Sequence, residues 1–166
     1  MDVIEQDKII ELLKSKYEDQ ILHTGMIQDF FTITLRKDKL IEIIQFLYDN
    51  PGTKFQYLTT LCAIHYPELQ QIGIMYQLHN LYNNLRLRLK IYLPEENPRV
   101  PTLTPVFAAA NWMERETYDF YGVTFEGHPN LKRILNVDEM IIFPMRKEYP
   151  LEDQIRQDKN DTMFGR

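Results

Sequence analysis

The sequence contains a single cysteine, Cys62, among its 166 residues. One thiol cannot form a disulfide within the chain, and it cannot supply the four ligands of a cysteine-only zinc site or iron–sulfur cluster. Such a low cysteine content fits a reducing compartment best. The scarcity of thiols therefore excludes a disulfide framework and any four-thiolate centre built from this chain alone.

Basic residues and long apolar runs are also scarce. The chain has 19 Lys and Arg against 24 Asp and Glu, which gives a net charge of -5 at pH 7. Non-specific affinity for nucleic acid comes mainly from cations that neutralise phosphates, so this balance argues against a general nucleic-acid binder. No run approaches the ~20 apolar residues that span a bilayer. We predict no nucleic-acid partner and no direct membrane span.

The pattern of apolar residues predicts one α+β domain. Helical spacing indicates a first helix that ends near Tyr17 and a second that begins near Leu40, after Asp38 as cap. Thr104 can cap a third helix that begins at Pro105 and ends before Gly122. Strand composition is found in residues 30–35, 57–66, 72–81 and 85–93. The prediction is a two-layer domain with a mostly antiparallel sheet covered by helices, in the order α-β-α-β-β-β-α.

The last part of the chain has a different character. From residue 127 onward the sequence combines prolines with dense charges of both signs, and it has no sustained period of 3.6 or 2. Segments of this kind gain order by lying on another surface. We predict an α+β domain over residues 1–126 and an extended C-terminal arm over residues 127–166, packed on partner subunits.

The third helix carries three consecutive charged residues, Glu114, Arg115 and Glu116. Successive residues of a helix are about 100° apart, so the three cannot share one solvated stripe. Glu116 shares a stripe with Met113 and Phe120, and a carboxylate there needs counter-charges if it loses water. We hypothesise an ion-pair network at an interface, completed by the arm or by a second subunit. The alternative is a solvated helix with a weak Arg115–Asp119 pair.

Other residues have competing interpretations that lead to no catalytic or metal site. Cys62 and His65 lie three residues apart on a predicted strand and face opposite sides, so they do not readily share one metal. Cys62 is better interpreted as a small buried apolar residue. The carboxylates could serve a hydrolase, but the chain has no recognisable nucleophile or phosphate loop. That alternative concerns Glu114, Glu116, Asp119 and Glu126.

A basic stripe occupies the last predicted strand. Arg86, Arg88 and Lys90 alternate there with leucines, which places the cations on one face and the apolar residues on the other. With Tyr92 nearby, this face could bind nucleic acid. Since the whole chain is acidic, we favour a face that is solvated or contacts another subunit.

The charged helix and its sequel resemble a known family. Glu114-Arg115-Glu116, Asp119, His128 and Lys132-Arg133-Ile134-Leu135 occur in the order and spacing of the C subunit of bacterial NADH–quinone oxidoreductase, the thirty-kilodalton subunit of respiratory complex I. The resemblance covers residues 39–151. One departure is Ile142-Phe143-Pro144-Met145, where the family often has a Gly-His-Pro.

The resemblance implies a cofactor-free structural subunit of the peripheral arm of complex I. FMN, iron–sulfur clusters and quinone are then expected on partner subunits, among them the quinone-site D subunit that this chain contacts. The expected location is peripheral, on the cytoplasmic side of the bacterial inner membrane. The alternative is the equivalent subunit of a membrane-bound hydrogenase or another redox complex. The predicted interface comprises Glu114, Arg115, Glu116, Asp119, His128, Lys132, Arg133, Arg146 and Lys147.

Overall fold

A computed structural model describes residues 3–149, with side chains from residue 7 onward. It contains a five-stranded sheet, two helices on one face of that sheet and a third helix beside one edge. In chain order the elements are α1 (Val3–Tyr17), β1 (Ile21–Ile27), β2 (Phe30–Leu35), α2 (Leu40–Asp49), β3 (Tyr57–Tyr66), β4 (Gln71–Asn80), β5 (Leu85–Pro94), β6 (Arg99–Pro101), α3 (Ala110–Tyr121) and β7 (Thr124–Glu126).

The sheet has the strand order β1-β2-β5-β4-β3. β3, β4 and β5 form an antiparallel meander, and β1 and β2 form an antiparallel hairpin. The two units join through one parallel pairing, in which Ile33 of β2 lies beside Leu89 of β5. The mostly antiparallel α+β class predicted from the sequence is confirmed.

The core lies between one face of the sheet and helices α1 and α2. The leucines of β5 point inward, as the alternation predicts, and Leu87 and Leu89 are fully buried. Ile43 and Leu47 of α2 belong to the same buried cluster. Burying each such side chain contributes about 1.5–3 kcal/mol, so this packed layer supplies most of the stability of the domain.

Strand β1 is the main element that the sequence prediction omitted. It is an edge strand with largely exposed side chains, so it lacks the apolar alternation that identifies half-buried strands. Gln28 and Asp29 join it to β2 with φ angles of 48° and 63°. Two residues with positive φ are typical of the tight turns that connect hairpin strands.

The third helix begins later than the sequence predicts. α3 starts at Ala110, whereas residues 103–109 form consecutive turns that start with hydrogen bonds from Val106 and Phe107 to the carbonyl of Leu103. The short parallel pair of β6 and β7 lies on either side of the helix in the chain. The prediction of a helix from Pro105 is therefore wrong, because contacts made by Glu114 of α3 hold the preceding segment in a different conformation.

The end of the third helix agrees with the sequence. Gly122 has a φ of 75°, the left-handed conformation in which glycine ends helices. A Cβ atom at this position would lie 2.5 Å from the ring of Phe143, so the glycine also makes room for the C-terminal segment. The division at residue 127 stays a prediction, and residues 150–166 of the predicted arm lie outside the described residues. Within residues 3–149, no helix is both long and apolar enough to cross a membrane.

Candidate partner interface on the third helix

Asp119 lies at the centre of the contact between α3 and the segment that follows it. Its side chain is fully buried. Oδ2 accepts hydrogen bonds from the backbone N–H groups of Ile134, Leu135 and Asn136, at 3.1, 2.8 and 3.0 Å. Oδ1 accepts from the Asn136 amide at 3.0 Å and from the Arg133 guanidinium at 2.7 Å. The segment 133–136 therefore wraps around one carboxylate.

These donors keep Asp119 ionised. Burial on its own raises the pKa of a carboxyl group, but the N–H groups of Asn136 and Leu135, the Asn136 amide and Arg133 outweigh that effect. The pKa of Asp119 is consequently held well below its usual value. The carboxylate charge is a fixed part of the folded structure at neutral pH.

Arg133 connects the same carboxylate to the next part of the chain. Its guanidinium donates to the backbone carbonyls of Met140 and Ile142 at 2.6 and 2.9 Å, as well as to Asp119. It also lies 5.1 Å from the centre of the Phe143 ring. A planar guanidinium has several donors in a fixed arrangement, which suits it to such multiple contacts. Arg133 thus joins α3 to the segment around residues 140–143.

Arg115 is a second buried cation on α3. It donates to the backbone carbonyls of Lys132 and Arg133, at 3.1 and 3.0 Å, and lies 5.1 Å from the centre of the Trp112 ring. Asp119 is paired with Arg133 and not with Arg115. The solvated helix with an Arg115–Asp119 pair does not describe this structure.

Glu114 is buried on the other side of α3. Its carboxylate accepts a hydrogen bond from the N–H group of Leu103 at 2.6 Å and one from the Thr102 hydroxyl at 2.5 Å. Burial raises the pKa of Glu114 to about 7, although both hydrogen bonds act in the opposite direction. The hydroxyl of Tyr76 is buried without a hydrogen-bond partner among the described atoms, and burial together with the Glu114 charge raises its pKa.

His128 is held by backbone groups next to Glu114. Its Nδ1 accepts from the N–H group of Asn130 at 3.0 Å, so Nε2 carries the proton in the neutral ring and donates to the carbonyl of Asn111 at 3.1 Å. Nε2 also lies 4.0 Å from a Glu114 oxygen. The side chain is fully buried and both nitrogens are used, which agrees with a structural role.

Two further contacts anchor the segment near its end. Arg146 donates to the carbonyl of Tyr121 at 2.9 Å and lies 5.3 Å from the centre of the Phe143 ring. The backbone N–H group of Lys147 donates to Nδ1 of His65 at 2.9 Å. The segment is therefore fixed to the end of α3 and to the end of β3.

His65, Glu95 and Glu148 form a group whose potential ligand atoms all lie within 4.8 Å of one another. Nε2 of His65 lies 3.1 Å from Glu95, too bent for a hydrogen bond. Because Nδ1 accepts from Lys147, the proton of the neutral ring is on Nε2. A metal on Nε2 would require lone pairs on both nitrogens, which neutral imidazole does not have. The geometry therefore favours an anchor for the chain over a metal centre.

The nine residues predicted for an interface separate into two groups. Six side chains make the internal contacts described above: Glu114, Arg115, Asp119, His128, Arg133 and Arg146. The side chains of Glu116, Lys132 and Lys147 are exposed and form no ion pair within residues 3–149. The sequence analysis assigned the desolvation cost to Glu116, but it is Glu114 and Asp119 that are buried.

Exposed apolar side chains accompany the three exposed charges. On α3, Trp112 is 59% exposed, and in the following segment Leu135 and Ile141 are 68% and 93% exposed. Large apolar groups in this number on one segment mark an interaction surface. The sequence analysis named Trp112 as a core or interface anchor but omitted Leu135 and Ile141. The available signal was apolar residues in a segment without helical or strand period.

A groove of about 320 Å³ runs between β3 and α3, beside this surface. Cys62 and Ala63 of β3 line one side, and Glu116 and Phe120 of α3 line the other. Cys62 is half-buried on the outward face of the sheet, not in the core, and burial raises the pKa of its thiol. The groove places the free carboxylate of Glu116 beside apolar surface, as an interface would require.

An α+β domain that satisfies its buried charges internally and exposes an apolar, charged surface on one helix belongs to the class of assembly subunits. The family described as "Respiratory-chain NADH dehydrogenase, 30 Kd subunit" matches residues 33–155. The chain belongs to this family.

Relatives in two bacteria agree with that assignment. The C subunit of NADH-quinone oxidoreductase from Mycolicibacterium gilvum (strain PYR-GCK) is 37% identical over 126 residues, which are 75% of this chain and 56% of that protein. The second C subunit of the same enzyme in Rhizobium meliloti (strain 1021) is 39% identical over 128 residues, 76% of this chain and 70% of that protein. The chain thus spans between about half and two thirds of the length of these relatives.

Solved structures show the same fold. A trypsin-resistant fragment of Nqo5 is 27% identical, has a TM-score of 0.63 and aligns over 76% of this chain and 99% of its own. A chain from the membrane-bound sulfane sulfur reductase, an archaeal respiratory membrane complex, is 20% identical with a TM-score of 0.73, over 87% of this chain and 85% of its own. The second likeness shows the fold alone.

Asp119→Asn tests the role of the buried carboxylate. Removal of its charge leaves Arg133 buried without a counter-ion, so we expect a loss of about 3–5 kcal/mol in the free energy of unfolding, measured by urea denaturation. Asp138→Asn, on an exposed arm residue, is the matched control. Equal denaturation midpoints for the two variants would contradict a structural role for Asp119.

Glu114→Gln tests the raised pKa. A carboxyl with a pKa of about 7 in the folded state and 4.5 in the unfolded state binds its proton more tightly when folded, so its contribution to stability is full below pH 4.5 and is lost as pH rises to about 7. The loss is about 3 kcal/mol. We expect the Gln variant to lack this pH dependence in denaturation between pH 5 and 7. Glu126→Gln should keep it, and the same slope in both variants would disprove the assignment.

Proposed function

We propose that this chain is a cofactor-free structural subunit of the peripheral arm of proton-translocating NADH:quinone oxidoreductase. The observation that carries the proposal is the surface of α3 and residues 132–147, with its exposed Trp112, Leu135 and Ile141 beside unpaired charges. The family and the names of its relatives indicate which assembly this surface serves.

In this proposal the surface docks against the quinone-site D subunit. Internal hydrogen bonds of Asp119 and Arg133 hold the segment 133–142 in place before any partner arrives. A preorganised surface loses less conformational entropy on binding than a disordered one, which favours a stable joint. Exposed aromatic side chains such as Trp112 are the kind that dominate binding energy at interfaces.

The chain supports electron transfer from NADH to quinone without performing a chemical step. FMN, iron–sulfur clusters and quinone are assigned to partner subunits, which is in keeping with the single cysteine of this chain. Attachment to those partners would hold the chain at the cytoplasmic side of the bacterial inner membrane.

A second candidate is the equivalent subunit of a different membrane-bound redox complex, such as a hydrogenase. The fold likeness to a chain of the sulfane sulfur reductase complex is the observation behind it. The relatives named as NADH-quinone oxidoreductase subunits are 37% and 39% identical, against 20% for that chain, and they favour the first candidate.

Purification of the tagged full-length chain from gently solubilised membranes of its native cell tests the function. We expect a large complex that contains flavin and iron–sulfur clusters and transfers electrons from NADH to quinone. A complex that instead oxidises hydrogen or reduces sulfur compounds would support the second candidate. A monomer without partners would contradict both.

Glu116→Gln tests the surface in the same preparation. Hydrogen bonds to charged groups are worth about 1.5–3 kcal/mol, so we expect about tenfold less of the variant in the complex on native gels, with the melting temperature of the isolated chain unchanged. Glu42→Gln, exposed on α2 in the opposite layer, is the matched control. Equal assembly of both variants would exclude Glu116 from the interface.

A further inference from the structure

The face of the sheet opposite α1 and α2 carries a second concentration of unpaired charge. Arg86, Arg88 and Lys90 of β5 point to this face, away from the buried leucines. The register places Thr32 and Gln77 on either side of Arg88, so the cations occupy the middle of the sheet. None of the three cations forms an ion pair in the part of the chain that the structure describes.

No carboxylate offsets these cations on the face itself. The outward positions of the five strands hold no Asp or Glu; they are His23, Gly25, Ile27, Phe30, Thr32, Thr34, Thr60, Cys62, Ile64, Tyr66, Gly73, Met75, Gln77, His79, Arg86, Arg88, Lys90 and Tyr92. Asp29 lies in the β1–β2 turn and Glu116 beside the groove, both at the rim. In a chain with a net charge of -5, positive charge is thus concentrated on one face.

Neutral groups hold two of the cations in place. Arg88 lies 4.3 Å from the centre of the Phe30 ring and donates to the Gln77 amide oxygen at 3.3 Å. Lys90 donates to the Tyr66 hydroxyl at 2.7 Å and lies 4.8 Å from the centres of the Tyr66 and Tyr92 rings. Contacts with ring faces position a cation without cancelling its charge.

Hydrogen bonds to Tyr66 and Tyr92 also keep Lys90 protonated. Partial burial lowers the pKa of Lys90, but its contacts with the two tyrosines outweigh that effect and the pKa is raised overall. Gly73 lies beneath this group, and a Cβ there would come within 2.9 Å of the Tyr66 ring. The strand thus has a glycine where the rings close over the sheet.

Apolar surface surrounds the cations. Ile64 is 36% exposed and Tyr92 is 37% exposed, and both lie beside the central cations. Tyrosine, methionine and arginine are enriched at protein interfaces, and this face presents all three. The combination fits a folded polypeptide with carboxylates among apolar side chains better than a phosphate backbone, which the net negative charge of the chain repels at longer range.

We propose that this basic sheet face, centred on Arg86, Arg88 and Lys90, is a second docking surface that binds an acidic segment of another protein. The partner's carboxylates pair with the two arginines, and its apolar side chains cover Ile64 and Tyr92. The surface is separate from α3 and does not depend on which redox complex contains the chain.

A photo-crosslinking experiment in the native cell identifies the occupant. The full-length chain with Tyr92 replaced by p-benzoylphenylalanine is expressed in place of the parent chain, and intact membranes are irradiated. We expect a cross-link to an Asp- or Glu-rich peptide of a different protein. The same photoreactive residue at Tyr82, exposed in the β4–β5 turn, should not give that cross-link.

Four results would overturn the proposal: no cross-link from position 92, or one to nucleic acid, to lipid or to a second copy of this chain. A charge-reversal pair measures the contribution of the cations. Arg86→Glu with Arg88→Glu should reduce the amount of chain retained in the complex at least about tenfold, because like charges facing each other cost several kcal/mol. Lys14→Glu with Lys37→Glu makes the same change in net charge on exposed residues elsewhere, and retention should stay at the parent level.

Arg88 contacts Phe30, so its reversal could weaken the fold. Arg86→Glu alone removes an exposed cation and should cause a smaller loss in the same direction, with an unchanged melting temperature. Lysine substitutions of the cross-linked carboxylates in the partner should restore retention of this variant. Retention of both arginine variants at the level of the lysine control would refute the role of the face. Loss with Glu116→Gln but not with Arg86→Glu would separate failure of this proposal from failure of the proposed function.

Discussion

A carboxylate that is removed from water must find as many donors inside the protein as it loses outside, and Asp119 meets this requirement entirely from residues 133–136. An ionised group left without such partners would cost several kcal/mol. The position of the C-terminal segment on α3 follows from this constraint. Arg133 extends the effect, since the guanidinium that pairs with Asp119 also binds two carbonyls further along the chain.

The charged residues of α3 consequently have different tasks, although they are neighbours in sequence. Glu114 holds the turn that precedes the helix, and Arg115 and Asp119 hold the segment that follows it. Only Glu116 points away from the molecule. A single helix thereby organises the chain on both sides of itself and offers one free carboxylate to a partner. An assembly subunit needs this combination of a rigid frame and a separate contact group.

The sequence predicted the elements whose pattern depends on one neighbour, and it failed where several segments meet. The alternation in β5 is unambiguous because one face is apolar core and the other carries Arg86 and Arg88. Gly122 was predicted as a helix end because the left-handed conformation is a local property. The edge strand β1 has no buried face to impose a pattern. The choice between Glu114 and Glu116 as the buried acid depends on what surrounds α3, and angular spacing gives only their relative directions.

The parallel pairing of β2 with β5 has a consequence for the order of events during synthesis. The hairpin of β1 and β2 leaves the ribosome early, but its place in the sheet is beside Leu89, after α2, β3 and β4 have been made. Until then the Phe31 and Ile33 side chains have no strand to cover them. Contacts between distant parts of a chain form slowly. The nascent N-terminal third is therefore the stage at which a chaperone would be of most use.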